Sequence, residues 1–424
     1  MINHSASLKS GLDNNLEQFD MHDFSCYKEL AEQIGDAKIV MLGEATHGTY
    51  EFYYIRQQLT KYLIEEKAFN AIAVEGDFTS CYTTNLYLQG KWHANDTLNA
   101  LTEFKRFPIW MWRNEVTLPF IRSLRDHNDL GLKVQFYGLD LYSLHSAILE
   151  VIRYLQEHDP EAAKEAIRRY SCFENTTHNP EEYGALVKYA HKKSCLNAVT
   201  RQLVSLQQTS LHDHDWEEAD KLFYATQNAR LVKNAELYYR AMFEPHVNTW
   251  NIRDNHMFET LQNIHEHLTS TLEKKPKIII WAHNSHVGNA SATDMAMRGE
   301  LNIGQLVKEH YKDESFSLGF STYTGSVLAA DDWGGSPECK RINPGLAESY
   351  EELFHNTHCE NFILYLKNNP ELQNILSTDR LQRAIGVIYR PQTERWSHYY
   401  NAKLYPQFDA LLHMDTTHAI EPLV

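Results

Sequence analysis

Four short apolar runs, each ending in polar or glycine-containing residues, constrain this chain more than any other feature. They are Lys38-Ile-Val-Met-Leu-Gly-Glu44, Ala71-Ile-Ala-Val-Glu-Gly-Asp77, Lys133-Val-Gln-Phe-Tyr-Gly-Leu-Asp140 and Lys277-Ile-Ile-Ile-Trp-Ala-His283. Each is rich in β-branched or aromatic residues, as strands covered on both faces are. Between the first two, Tyr50 to Glu66 reads as a helix, with Tyr54, Leu59, Tyr62 and Leu63 on its apolar face. Strand–helix–strand alternation requires crossover connections, so the strands run parallel and the crossovers are right-handed. The expected fold class is α/β: a mostly parallel central sheet flanked by helices.

From about residue 143 to 275 the strand signals stop. Charged, Ala-rich and Leu-rich segments replace them, such as Asp159-Pro-Glu-Ala-Ala-Lys-Glu-Ala-Ile-Arg-Arg-Tyr170. Pro160 suits a first helical turn behind an Asp159 cap. This block, 143–275, is read as a helical insertion within one domain spanning 1–424. Strands then return at Ser315–Thr322, Phe362–Leu366, Arg383–Tyr389 and Phe408–Met414, and Ser349 with Glu352 forms a capping box that opens a helix.

Composition excludes some partners. Lys plus Arg number 40 and Asp plus Glu 56, a net charge of −16. That balance opposes a nonspecific grip on nucleic acid, which depends on cations displacing counterions, and opposes adhesion to an anionic membrane. The first twenty residues lack the apolar core of a signal peptide, and no run is long enough to span a bilayer. A cytoplasmic protein is expected. The six cysteines, Cys26, Cys81, Cys172, Cys195, Cys339 and Cys359, form no CxxC pair, so free thiols are expected.

Open α/β sheets place their sites at the carboxyl ends of the strands. Here those ends read Gly43-Glu44-Ala45-Thr46-His47-Gly48, Glu75-Gly76-Asp77, Gly138-Leu139-Asp140 with Tyr142, and His283-Asn284-Ser285-His286. An imidazole takes a proton near neutral pH, and a carboxylate three residues away can fix its tautomer and steady the imidazolium. His47 is thus a candidate base with Glu44 as its partner. His283, His286 and Arg56 are candidates to steady an anionic intermediate. Glu75 belongs to the same set of strand ends. Each residue also has a plain reading: Glu75 and Asp77 as helix caps, Arg56 as a surface ion-pair partner, and the HxxH spacing as incidental.

Two further segments are candidate substrate contacts. Arg106-Phe-Pro-Ile-Trp-Met-Trp-Arg-Asn114 either buries Trp110 and Trp112 at a helix start or forms a cleft wall with Arg113 or Asn114 pointing inward. Trp250-Asn-Ile-Arg-Asp-Asn-His-Met257 offers Arg253, either to substrate beside Asp140 and Tyr142 or to an ion pair with Asp254. No G-x-S-x-G elbow, Walker A loop or dinucleotide glycine fingerprint occurs.

At these residues the chain resembles the erythromycin esterase family. The similar segments are GEATHGTYEFYYIRQQL, AIAVEGD, RFPIWMWRNEV, FYGLDLYSL, WNIRDNHM, WAHNSHV, RAIGVIYRPQTERWSHYY and FDALLHMDTTHA, running from about residue 37 to 418. The resemblance implies an α/β domain with helical additions and a deep cleft. It also implies ester hydrolysis by an activated water without a covalent acyl-enzyme. Carried across, His47 is the general base, Glu44 its partner, Arg56 the arginine of the following helix, and His283 and His286 the paired histidines. The RFPIWMWRN and GLDLYSL wording departs from the macrolide-resistance branch. It places the chain in a broader branch, some of whose members bear a succinoglycan-biosynthesis label.

The leading expectation is a cofactor-free hydrolase of a small-molecule ester or lactone, with macrolides poor substrates. The alternatives are a metal-dependent hydrolase holding zinc or manganese through His47, His283, His286 and Glu44 or Glu75, and a non-catalytic protein that binds a small molecule or metal.

Overall fold

A computed structural model describes residues 2–92, 97–131, 133–174, 179–209, 216–272 and 275–423. Its strands are β1 (Glu17–Gln18), β2 (Ile39–Leu42), β3 (Ala71–Asp77), β4 (Gln135–Asp140), β5 (Ile278–Trp281), β6 (Ser315–Ala329), β7 (Glu338–Ile342), β8 (Asn361–Tyr365), β9 (Arg380–Arg383), β10 (Tyr399–Ala402) and β11 (Ala410–Thr417). The main sheet runs β1-β8-β11-β6-β2-β5-β3-β4, with β7 added beside β6.

The centre of the sheet is parallel. Ile39, Val40, Met41 and Leu42 register with Ile278–Trp281 on one side and Ser315–Leu318 on the other. The β3–β5 and β6–β11 pairs are also parallel. All four residues of β2 are buried, which explains its unbroken apolar run. Antiparallel pairing enters away from the centre, where β8 joins β11 and β1, and β7 joins β6.

The chain separates into two compact units, crossing between them within β3 and again within β4. One comprises Met1–Glu75, Thr83–Phe136 and Lys277–Val424; the other comprises Gly76–Tyr82 and Tyr137–Pro276. The first contains β2 and β5 with the polar turns that follow them. In the second, beyond the end of β4, the described residues form helices and no strand. A long helix, Trp216–Ala241, packs against helices Leu144–His158, Pro180–Tyr189, Leu196–Gln207 and Thr249–Thr271. Ala225, Ala229, Val232 and Ala235 are fully buried along it, small residues that let helices approach closely. Asp159 caps helix Pro160–Tyr170 by accepting from the Ala162 N–H at 3.0 Å.

Three sequence expectations need correction. Helix Tyr50–Lys67 carries no single apolar stripe: Phe52, Tyr53, Ile55, Leu59, Tyr62 and Leu63 are all buried, because it packs against helices Phe24–Ile34 and Thr117–Asp129. Tyr54 is only half-buried, stacking on Tyr50 and touching His22. Second, Arg383–Tyr389 is not a strand. Pairing stops at Arg383, where β9 meets β10 in a separate two-stranded sheet. Beyond it Ile385 and Ile388 make single bridges, to Thr46 and Ala330, so this backbone braces loops. Third, Cys172 and Cys195 form a disulfide across 23 residues, leaving Cys26, Cys81, Cys339 and Cys359 as free thiols. The pairing comes from helices Pro160–Tyr170 and Leu196–Gln207 packing together, which spacing alone cannot reveal.

Candidate active site

The turn after β2 carries the first two site residues. Its glycines are required by close approach. A Cβ on Gly48 would collide with the backbone of Leu328, and one on Gly43 with the Asn284 side chain. The loop is pinned from several sides. Ile385 N–H donates to Ala45 O (2.9 Å), His47 N–H to Ile385 O (3.2 Å), and Ile420 N–H to Gly48 O (2.9 Å). The Tyr53 hydroxyl donates to His47 O at 3.0 Å.

Within this frame the His47 Nδ1–H donates to Glu44 Oε1 at 2.8 Å, and Arg56 Nη2 donates to Glu44 Oε2 at 2.7 Å. All three side chains are buried, so each carboxylate oxygen is matched to a cationic or polarised N–H. Arg56 also lies over the rings of Tyr53 (4.5 Å) and Trp281 (4.9 Å). Its plain reading as a surface ion-pair partner is therefore wrong.

The ends of β3 and β5 complete the cluster. Glu75 Oε2 accepts the His283 backbone N–H at 2.8 Å, which turns Oε1 toward two imidazoles. Oε1 lies 3.4 Å from His286 Nε2 and 4.0 Å from His47 Nε2. The His47 and His283 rings are 4.8 Å apart. Glu44, His47, Arg56, Glu75, His283 and His286 therefore come together in one buried cluster.

His283 differs from the other histidines in its hydrogen bonds. Its Nδ1 accepts the Ser285 N–H (3.2 Å), so the proton sits on Nε2, which faces Ala45 O at 3.3 Å. Ser285 Oγ also lies 2.8 Å from that Nδ1. Burial first, and then the neighbouring His47, push the His283 pKa down to about 3. A neutral imidazole that caps helix Asn284–Val287 and braces the Glu44–His47 loop fits this position.

The other candidates divide. Trp110 and Trp112 are buried. Trp110 meets Phe107 edge-on, and Trp112 meets Phe136. Asn114 is a cap and does not point into a cleft. Its Nδ2 donates to Trp110 O and Met111 O, and its Oδ1 accepts from the Val116 and Thr117 N–H groups. With all its hydrogen-bonding capacity used on backbone, it has none to offer substrate. In the second unit, Arg253 pairs with Asp140 through Nη2 (2.7 Å) and Nε (3.1 Å), and it lies over the Tyr142 ring at 5.2 Å.

Sequence reasoning passed over Ser285, Tyr53 and Asn284. Asn284 clamps β6 by donating to Phe320 O (2.7 Å) and accepting from Phe320 N–H (3.2 Å). All three sit inside the motifs singled out for their charged neighbours, and that adjacency was the available signal. Among the described residues, no group of three or more His, Cys, Asp or Glu side chains is arranged to hold a metal ion. Nor is any described helix long and apolar enough to cross a membrane.

A mostly parallel sheet flanked by helices, with a buried cluster of histidines and carboxylates at its strand ends, defines the chain as an α/β protein. The erythromycin esterase family profile matches residues 64–417. The chain belongs to that family, a family of hydrolases. It is 22% identical over 395 residues to the Escherichia coli erythromycin esterase type II, covering 83% of this chain and 86% of that one. It is likewise 22% identical over 311 residues to a Bacillus subtilis protein, YbfO, named as a hydrolase, covering 70% and 67%. In fold it is similar to a Bacillus cereus protein of TM-score 0.80 at 18% identity, with 99% of both chains covered. An erythromycin esterase in its open conformation is also similar, with a TM-score of 0.65 at 16% identity, covering 94% and 95%.

Proposed function

We propose that this protein hydrolyses a carboxylic ester or lactone of a small molecule, with His47 as general base toward water and no covalent acyl-enzyme. The observation that carries the reading is the placement of Glu44 and Glu75 on opposite nitrogens of one imidazole. Glu44 holds Nδ1 protonated, so the lone pair of His47 lies on Nε2. Glu75 Oε1 lies 4.0 Å from that nitrogen, too far for a direct bond but close enough for one water to donate to both. Such a water loses a proton to Nε2 as its oxygen attacks the carbonyl. The imidazolium formed is steadied by Glu44, whose own charge is balanced by Arg56. In this reading His286, whose Nε2 lies 3.4 Å from Glu75 Oε1, passes a proton to the leaving alcohol.

A cofactor-free mechanism is favoured by how the nitrogens are already used. His47 Nδ1 is bonded to Glu44, and His283 Nδ1 is bonded to Ser285 while its Nε2 faces Ala45 O. A zinc or manganese ion that took His283 as a ligand would need one of its two committed nitrogens released. The family model and the erythromycin esterase relative support ester chemistry. The departures at RFPIWMWRN and GLDLYSL favour substrates other than macrolides.

The test is a panel of aryl and alkyl esters and fourteen-membered macrolides, assayed before and after exhaustive chelation. Turnover of simple esters that survives chelation, with slow macrolide cleavage, is the expected result. Loss of activity on chelation, restored by zinc or manganese, would replace the mechanism. Efficient macrolide cleavage would overturn only the substrate reading.

A further inference from the structure

Arg113 stands apart from the other buried arginines. Arg56 holds Glu44, Arg230 holds Glu259, Arg253 holds Asp140 and Arg383 holds Glu394. The Arg113 side chain is half-buried and its Nε is shielded from water, yet it has no hydrogen bond, ion pair or ring contact with any described residue. The chain has 56 acidic residues against 40 basic ones, and among the described residues none pairs with Arg113, although Glu115 and Glu421 lie nearby and bond each other. A shielded Nε–H without an acceptor costs free energy that an incoming anion would recover.

The same short segment holds two more buried donors without partners among the described residues, Trp110 Nε1 and Thr117 Oγ1. Between them, Asn114 is bonded four times. Three buried polar atoms without a described partner therefore fall on one short stretch of chain whose backbone is firmly held.

That stretch is tied to the His47 loop. Ile420 N–H donates to Gly48 O and Leu423 N–H donates to Arg113 O, each at 2.9 Å. Three residues of extended chain cover about 10 Å, so the two carbonyl groups lie within about 16 Å of each other. That is the scale of a small-molecule ester. The intervening segment also bridges Thr49 through Ala419 and Asn114 through Pro422, which fixes the spacing.

We propose that Arg113 is the specificity-determining residue of the site and receives an oxyanion, a carboxylate or a phosphate, borne by the substrate remote from the ester that is cleaved. The inference rests on the ester-hydrolase reading and narrows it to acidic esters. The planar guanidinium fork suits either anion through paired N–H donors, and an ammonium replaces it poorly.

Two measurements test this. Calorimetric binding of glutarate and of phenyl phosphate to the full chain does not depend on turnover. At least one should bind, and the tighter names the source of the anion. Arg113→Gln should weaken that binding at least tenfold and Arg113→Lys by less, while the exposed control Arg201→Gln should match the parent. Melting curves confirm that each variant is folded. The second measurement is the ratio of kcat/KM for mono-p-nitrophenyl glutarate to that for p-nitrophenyl acetate, which should exceed about tenfold in the parent and fall toward one in Arg113→Gln. Equal anion binding by parent and Arg113→Gln, or no binding of either anion by folded parent, would overturn the inference. Anion binding that depends on Arg113 without hydrolysis of any ester would overturn the hydrolase reading and leave Arg113 as an anion site.

Discussion

Glu44 Oε1 accepts the Nδ1–H of His47 at 2.8 Å, on a loop whose backbone is held by residues far along the chain. Glu44 also carries the only carboxylate paired with the buried Arg56 guanidinium among the described residues. Glu44→Gln therefore acts twice. It removes the charge that steadies the imidazolium, so kcat should fall by about 10²–10⁴, the span of a positioned acid–base group. It also leaves Arg56 buried without a counter-charge, which should cost about 3–5 kcal/mol of stability. Activity and melting temperature measured together should both drop. A variant as stable as the parent would show that the Arg56 pair is not a structural element.

Asn114 predicts a change in stability. Its side chain accepts from the Val116 and Thr117 N–H groups where helix Thr117–Asp129 begins, as an N-cap side chain does, and donates to Trp110 O and Met111 O of the preceding 3-10 turn. Asn114→Ala should destabilise by about 1–2 kcal/mol, the upper range for loss of an N-cap. Urea denaturation checks this. An unchanged midpoint would return Asn114 to the list of substrate contacts.

Acid should weaken the fold through histidines buried in neutral form. Burial, then neighbouring His47, holds His283 at about 3, and burial holds His256 at about 4. Their unfolded value is near 6.5, so between that pH and the folded value the unfolded chain binds the extra proton. Stability is full above about 6.5 and falls with decreasing pH by about 1.4 kcal/mol per unit for each such histidine. Urea midpoints at pH 7 and pH 5.5 should show the decline, and His256→Gln should make it shallower. Stability independent of pH over this range would contradict the buried neutral assignment.

Thiol counting tests the helical unit. Of six cysteines, Cys172 and Cys195 are paired. Denatured protein that has never met reductant should titrate with four thiols, and Cys172→Ser with five. Six thiols in the parent would remove the disulfide.

The sheet was legible because parallel strands covered on both faces must be continuously apolar, as Ile39–Leu42 and Ile278–Trp281 are. The charged site residues were legible because they sit where those runs end. What the sequence hid depends on contacts between distant segments. Ile385 looks like part of a strand but braces Ala45 and His47, and its role appears only once the loop is beside it. Asn114 and Arg113 are adjacent polar residues in one motif, yet one side chain is saturated by backbone and the other has no partner among the described residues. Periodicity carries no information about that difference. Arg253 finds a partner in Asp140, 113 residues away, which the adjacency of Asp254 in the sequence does not announce. On a helix, residues i and i+1 do not face each other.

The central claim is that His47 is the base. His47→Ala removes a side chain that lines the site and is joined to Glu44 through one nitrogen, so the fold should survive with only a modest fall in melting temperature. The most direct measurement is kcat for a simple aryl ester in His47→Ala beside the parent, with melting curves for both. The account predicts a loss of about 10²–10⁴ in kcat with the protein still folded. Parental activity in folded His47→Ala would contradict it.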